Sequence, residues 1–202
     1  MIRLFRRVPH RSVKAAFVIV AALGLSGCIE TVVGAGATVG LSAYQERGLE
    51  GVAQDTKLAT QIRFSYLESS AALATNVGIE VYEGRALLTG LVETETQRAD
   101  AVKMAWGVIG IKDVINEIQL RTEEGVIEFA YDSWISTQLQ AKLTFDENIH
   151  AINYSIETVN SVVYLIGIAQ DQAELERVLD HAQSVDRVRR VITHVRIKET
   201  SA

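Results

Sequence analysis

Few side chains in this sequence are spaced for covalent or metal chemistry. Cys28 is the single cysteine, so neither an intrachain disulfide nor a thiolate metal site can be built from it. The histidines are His10, His150, His181 and His194, and none lies three or four residues from another, the spacing that would place two ligands on one helical face. No serine stands in a nucleophile-elbow sequence. Glu93, Glu95, Glu174 and Glu176 are placed where acids favour the start of a helix, a sufficient account without acid-base catalysis. The run Gly34-Ala35-Gly36-Ala37-Thr38-Val39-Gly40 has valine where a dinucleotide loop needs its glycine, and no strand precedes it. The expectation is a protein that is not an enzyme, with no cofactor, no metal and no small-molecule substrate.

Three features are left that can carry binding. Trp134 lies on an expected helix about 100° from the residue that begins its apolar stripe, so it is expected to be at least partly exposed. A tryptophan there suits a membrane interface, with an apolar body and one polar handle, or packing against another domain. Arg187, Arg189 and Arg190, followed by Arg196 and Lys198, form a basic group near the C-terminus. It serves either as a patch for anionic headgroups or as a charged edge strand that resists aggregation. Lys142, on the same helix as Trp134, is a further candidate cation, and Trp106 is expected to pack on a surface or between domains.

The N-terminal residues explain Cys28. Arg3, Arg6, Arg7, Arg11 and Lys14 precede an apolar run from Ala15 to Leu25, the layout of a secretory signal, and too short to span a bilayer. The run closes on Leu25-Ser26-Gly27-Cys28, which resembles the bacterial lipobox, in which the cysteine is lipidated and the chain cut before it. That resemblance implies cleavage after Gly27, a lipid on Cys28 and, since Ile29 rather than aspartate follows, attachment to the outer membrane on its periplasmic side. Residues 28–53 then read as a tether rich in glycine and alanine. Residues 1–27 hold five of the 20 basic residues and no acid, so the remainder carries 15 basic against 25 acidic residues. That balance disfavours nucleic acid, whose phosphates need a basic face.

From Asp55 onward the chain repeats itself at an offset of 77 residues without a gap. Asp55 matches Asp132, Leu58 matches Ile135, Ile62 matches Leu139, Leu88 matches Leu165, Gly90 matches Gly167, Ala105 matches Ala182, and Val114-Ile115 match Val191-Ile192. Two domains are expected, at 54–121 and 131–198, joined by an acidic linker at 122–130.

Within each copy the hydrophobic period sets the elements. Leu58, Ile62 and Tyr66, and likewise Ile135, Leu139 and Leu143, mark a helix with one buried stripe, and Asp55 and Asp132 are expected as N-caps. Val77, Ile79 and Val81 alternate, Glu83-Gly84 turn the chain, and Ala86 to Leu91 return as the second strand of a hairpin. Thr94 and Asp171 cap a second helix, and Val114–Leu120 and Val188–Ile197 are last strands. The fold class is α+β, with two tandem αββαβ units, each a three-stranded sheet covered on one face by two helices. Ser161 replaces the turn glycine Gly84, so the second hairpin is expected to turn differently.

The element order, the glycines Gly90 and Gly167 at the end of the second strand, and the closing patterns Ile111 to Ile115 and Val188 to Ile192 resemble the BON domain. Two such domains behind a lipobox are similar to the dual-BON outer-membrane lipoproteins. The resemblance implies a non-enzymatic module that binds phospholipid or attaches proteins to membranes. The partners expected are an anionic phospholipid membrane, met by the second domain, and envelope proteins in the rival reading of a scaffold. Gly90 and Gly167 are expected to be structural, each supporting its own domain. Replacing Cys28 with alanine is expected to leave an uncut precursor or a soluble species. Unchanged mass and palmitate labelling of that variant overturn the anchor.

Overall fold

A computed structural model describes residues 45–121 and 129–199, with side chains of the second part described from Tyr131. Cys28, the signal segment, most of the tether and most of the linker lie outside the described residues. The first repeat comprises α1 (Gly48–Ser69), a short α2 (Ala71–Asn76), β1 (Val77–Tyr82), β2 (Arg85–Val92), α3 (Glu95–Trp106), β3 (Asp113–Asn116) and β4 (Gln119–Leu120). The second comprises α4 (Phe129–Phe145), a 3-10 turn (Ala151–Asn153), β5 (Tyr154–Val159), β6 (Val162–Ala169), α5 (Gln172–Gln183) and β7 (Arg190–Ile197). In each, a hairpin pairs antiparallel and the helix after it carries the chain back to a strand parallel to the hairpin's second strand. The fold class is the expected α+β.

The last strand of the first repeat is broken. Both β3 and β4 run parallel to β2, and the chain between them turns the buried Ile118 inward while the Glu117 amide still donates to the Leu88 carbonyl at 2.8 Å. The second repeat keeps one unbroken strand.

Asp55 and Asp132 are not N-caps. The helix begins at Gly48 in the first repeat and at Phe129 in the second, so both aspartates sit inside. Each is buried and turns its carboxylate onto the hairpin instead. Asp55 accepts from the amides of Glu83 and Gly84, and Asp132 from those of Asn160 and Ser161, all four at 2.8 Å. These pairs have positive φ (53° and 79°, then 52° and 61°), the conformation of a type I′ turn. The second hairpin therefore turns like the first despite Ser161. A left-handed serine costs about 1–2 kcal/mol, and a hydrogen bond to a charged group returns about 1.5–3 kcal/mol. Thr94 and Asp171 do cap their helices, accepting from Gln97 and Glu174.

The helices cover one face of each sheet, over cores built on Leu58, Ile62, Tyr66 and Leu88 and on Ile135, Leu139, Leu143 and Leu165. The other faces cover each other. Tyr82, Leu87, Val159, Val162, Tyr164, Ile166 and Ile168 form a third buried cluster between the sheets. β6 is consequently buried along its whole length. The arrangement has four layers, helices outside and two sheets within, and a pseudo-twofold axis relates the repeats. Glu117 and His194 occupy equivalent positions and meet each other at 2.9 Å, as an isologous contact requires on its axis.

Gly90 and Gly167 lie two residues inside the ends of β2 and β6. A Cβ on Gly90 would stand 2.0 Å from the Asn76 carbonyl oxygen, and one on Gly167 the same distance from that of Asn153. Backbone rather than a movable side chain blocks the space. Because the sheets share a core, Gly90→Val or Gly167→Val is expected to lower the stability of both repeats in one transition, and not only of the repeat that carries it. Calorimetry of each variant checks this; two separate transitions, one unchanged, overturn it.

Candidate membrane-binding face

Helix α4 presents its core stripe, Ile135, Leu139 and Leu143, to the sheet, with all three fully buried. Residues about 100° away on a 3.6-residue helix, at 131, 134, 138, 141 and 145, share an outer stripe. Tyr131 is 39% exposed, Trp134 42% and Phe145 86%. Trp134 is not part of the cluster between the sheets. The Arg187 guanidinium lies over the Tyr131 ring, 4.0 Å from its centroid. That contact brings the loop between α5 and β7 to the first turn of α4, and Arg187 reaches it with a left-handed backbone, φ 68°.

The remaining basic residues divide. Lys142 is half-buried two turns along α4 and, with Gln138, Ala141 and Phe145, lines a shallow depression that ends at Asp146 and His181. His181 bonds Asp146 at 2.8 Å and holds that carboxyl below its ordinary range. Arg190 is exposed at the start of β7, and the amide of Arg189 donates to the Ser161 carbonyl. Arg196 pairs with Glu83, and Lys198 with Glu46 at 2.9 Å, so these two are turned to the first repeat and away from α4. Trp106 is half-exposed at the end of α3.

Tyr131 and Phe145 were not among the candidates read from the sequence. Their signal was present in the repeat: the equivalent residues in the first copy are Gln54 and Glu68, as Lys57 is for Trp134. On α1 the large exposed apolar residues are instead Leu49, Phe64 and Leu67.

No group of histidine, cysteine and carboxylate suited to a metal occurs among the described residues. No described helix is long and apolar enough to cross a membrane.

The BON domain model matches the chain twice, at residues 54–122 and 131–199. The chain belongs to the BON-domain family. It is 42% identical over 127 residues to an uncharacterized protein of Anaplasma centrale, covering 62% of this chain and 84% of that one. It is 29% identical over 182 residues to the outer membrane lipoprotein DolP of Haemophilus influenzae, covering 89% and 93%. To the osmotically-inducible protein Y of Escherichia coli it is 27% identical over 146 residues, covering 71% and 73%. A structural protein of the type III secretion system of Chlamydia trachomatis, CdsD, aligns with a TM-score of 0.30 at 14% identity over 70% of this chain and 92% of that one, too slight a likeness to inform fold or function.

A second titratable cluster lies where the repeats meet. Glu80 and Glu157 are equivalent residues on β1 and β5. Burial, then the charge of Glu80, pushes the Glu157 carboxyl up to about 7, against the opposing pull of Arg63. Burial likewise raises Glu80. A carboxyl raised in the folded state favours folding when protonated, so stability is expected to fall as pH rises from about 4.5 to 7 and to level off above. Glu157→Gln is expected to flatten that slope and to melt higher than the parent at pH 8. Melting curves at half-unit steps test it; an unchanged slope overturns the assignment.

Proposed function

We propose that this protein is a lipid-anchored, non-enzymatic component of the outer membrane, facing the periplasm, whose second BON domain binds anionic phospholipid and so supports envelope integrity. The observation that carries the proposal is the Arg187 guanidinium stacked on Tyr131 beside the exposed Trp134. Aromatic rings at headgroup depth with a guanidinium among them offer apolar insertion and charge neutralisation at one place. Phe145 extends the apolar stripe along the helix, and Lys142 supplies a second cation near it. The buried stripe of α4 is unaffected, so the domain stays folded while its outer face inserts. The names of the relatives, an outer membrane lipoprotein among them, agree with the proposed location. No nucleic acid, cofactor or small-molecule substrate enters this reading.

The rival reading is an envelope-protein scaffold for which lipid is only the tether. Phe64 and Leu67, exposed on α1 on the opposite outer layer, favour that role for the first domain.

Burying half of the Trp134 side chain in lipid gains about 2 kcal/mol, and one basic residue about 1 kcal/mol. In flotation with liposomes containing phosphatidylglycerol, Trp134→Ala is therefore expected to weaken binding roughly 30-fold and Arg187→Ala roughly 5-fold, both without loss of melting temperature. Binding is expected to fall with added salt and to be absent on zwitterionic liposomes, and Lys57→Ala is expected to do little. In a Trp106→Phe background, tryptophan emission that neither shifts nor gains protection from aqueous quenchers on adding anionic liposomes removes the membrane role and leaves the scaffold.

A further inference from the structure

The pseudo-twofold axis creates two equivalent clefts where the repeats meet, and one of them is filled by this chain's own residues 45–47. There the Glu46 amide donates to Asn153 Oδ1 at 3.0 Å, and the Glu46 carboxylate receives Gln170 Nε2 at 2.7 Å and Lys198 Nζ at 2.9 Å. The Arg47 guanidinium donates to Asp55 Oδ2 at 2.7 Å and to the Val81 carbonyl at 2.9 Å, and lies 4.2 Å over the Tyr82 ring. An acid followed by a base is thus read by both domains at once.

Adding 77 to the residues of the first domain, and subtracting it from those of the second, gives the other cleft. Asn153 becomes Asn76, Lys198 becomes Arg121, Asp55 becomes Asp132, and Val81 becomes Thr158. All four line a cleft of about 390 Å³ between the repeats. It is open to solvent, and Arg121 lines it together with the acceptors Asp132, Glu157 and Asn160 Oδ1. Asp132 Oδ2 receives the Asn160 amide, where Asp55 Oδ2 also receives Arg47. Asn160 Oδ1 is buried with no partner among the described residues, and the Glu157 carboxylate lies alongside.

The repeat extends into the occupying segment. Glu46, Gly48 and Ala53 match Glu123, Gly125 and Ala130, but Glu124 stands where Arg47 does. An acid there cannot supply a cation to Asp132, which has no basic side-chain partner among the described residues.

We propose that this second cleft is a docking site for a protein segment that bears an arginine, held as the chain holds its own Arg47. The guanidinium would lie against Asp132, Asn160 Oδ1 and the Thr158 carbonyl, with a preceding acidic residue turned to Arg121 and Asn76. Two differences make the match to residues 45–47 looser. Val159 replaces the aromatic face of Tyr82, and Glu93, already paired with Arg121 at 2.7 Å, replaces Gln170. The arginine is therefore the determinant, and the acid contributes less. The site is separate from the α4 face and does not depend on lipid binding.

The test is a titration of the full chain, in detergent micelles, with a peptide of residues 44–50, followed by amide shifts in NMR. Saturable shifts are expected at Asn76, Thr158 and Asn160. The same peptide with Arg47→Ala is expected to bind at least 10-fold more weakly. So is the protein variant Asp132→Asn. Because Asp132 also holds the hairpin, Thr75→Arg serves as a second variant: it places a like charge at the exposed mouth of the cleft and is expected to weaken binding at least 5-fold without altering the fold. No saturable shift at millimolar peptide, shifts confined to Asn153 and Val81, or affinity indifferent to Arg47→Ala or to Thr75→Arg would each overturn the proposal.

Discussion

The apolar layer between the two sheets is the contact on which the rest of the molecule depends. A three-stranded sheet with two helices has one face satisfied and one left over. The leftover faces here carry Leu87, Val162, Tyr164, Ile166 and Ile168, too much apolar surface to leave in water. Packing them together removes both faces at once and joins the two repeats through a shared buried layer. It also fixes everything polar around it: the Glu117 to His194 contact on the axis, the Arg85 guanidinium on the His194 carbonyl, and Gln119 on the Tyr164 hydroxyl. The helices are forced outward in opposite directions, which leaves the outer stripe of α4 in solvent.

Buried carboxylates are costly unless they are fully hydrogen-bonded. Asp55 and Asp132 meet that condition by serving the turn of the hairpin across from them, locking the first helix of each repeat onto β1-β2 or β5-β6 at a fixed height. The first repeat completes the shell with Arg47, and among the described residues no cation does so in the second. One polar solution is thus used twice, and both turns keep the same left-handed backbone.

A shared order of core elements with divergence of surface is the general pattern. Trp134, Tyr131 and Phe145 stand where the first repeat has Lys57, Gln54 and Glu68, on helices whose buried stripes are interchangeable in size and kind. Packing restrains only the inward stripe, so the outward one is free to specialise. Specialisation is therefore readable as the positions where the repeats disagree in polarity while their neighbours agree.

The sequence by itself determined the αββαβ order of elements, the helix caps at Thr94 and Asp171 and the exposure of Trp134, because each follows from a period or a local residue preference that acts over a few positions. The gapless repeat tied the same signals to two copies and made them stronger. What the sheets do with their second faces was decided only in three dimensions, although the unbroken apolar run Val162–Ala169 is the mark of a strand buried on both sides. The jobs of Asp55 and Asp132 were also hidden. An aspartate near a helix start has the same local signature whether it caps its own helix or a turn 28 residues away, and only the fold selects the partner. Arg187 meeting Tyr131 and Arg196 meeting Glu83 are contacts between elements far apart in the chain, and the electrostatic influence of Glu80 on Glu157 arises in the same way. No short-range pattern encodes them, because their geometry is set by how elements pack within and between the repeats and not by the residues that make them.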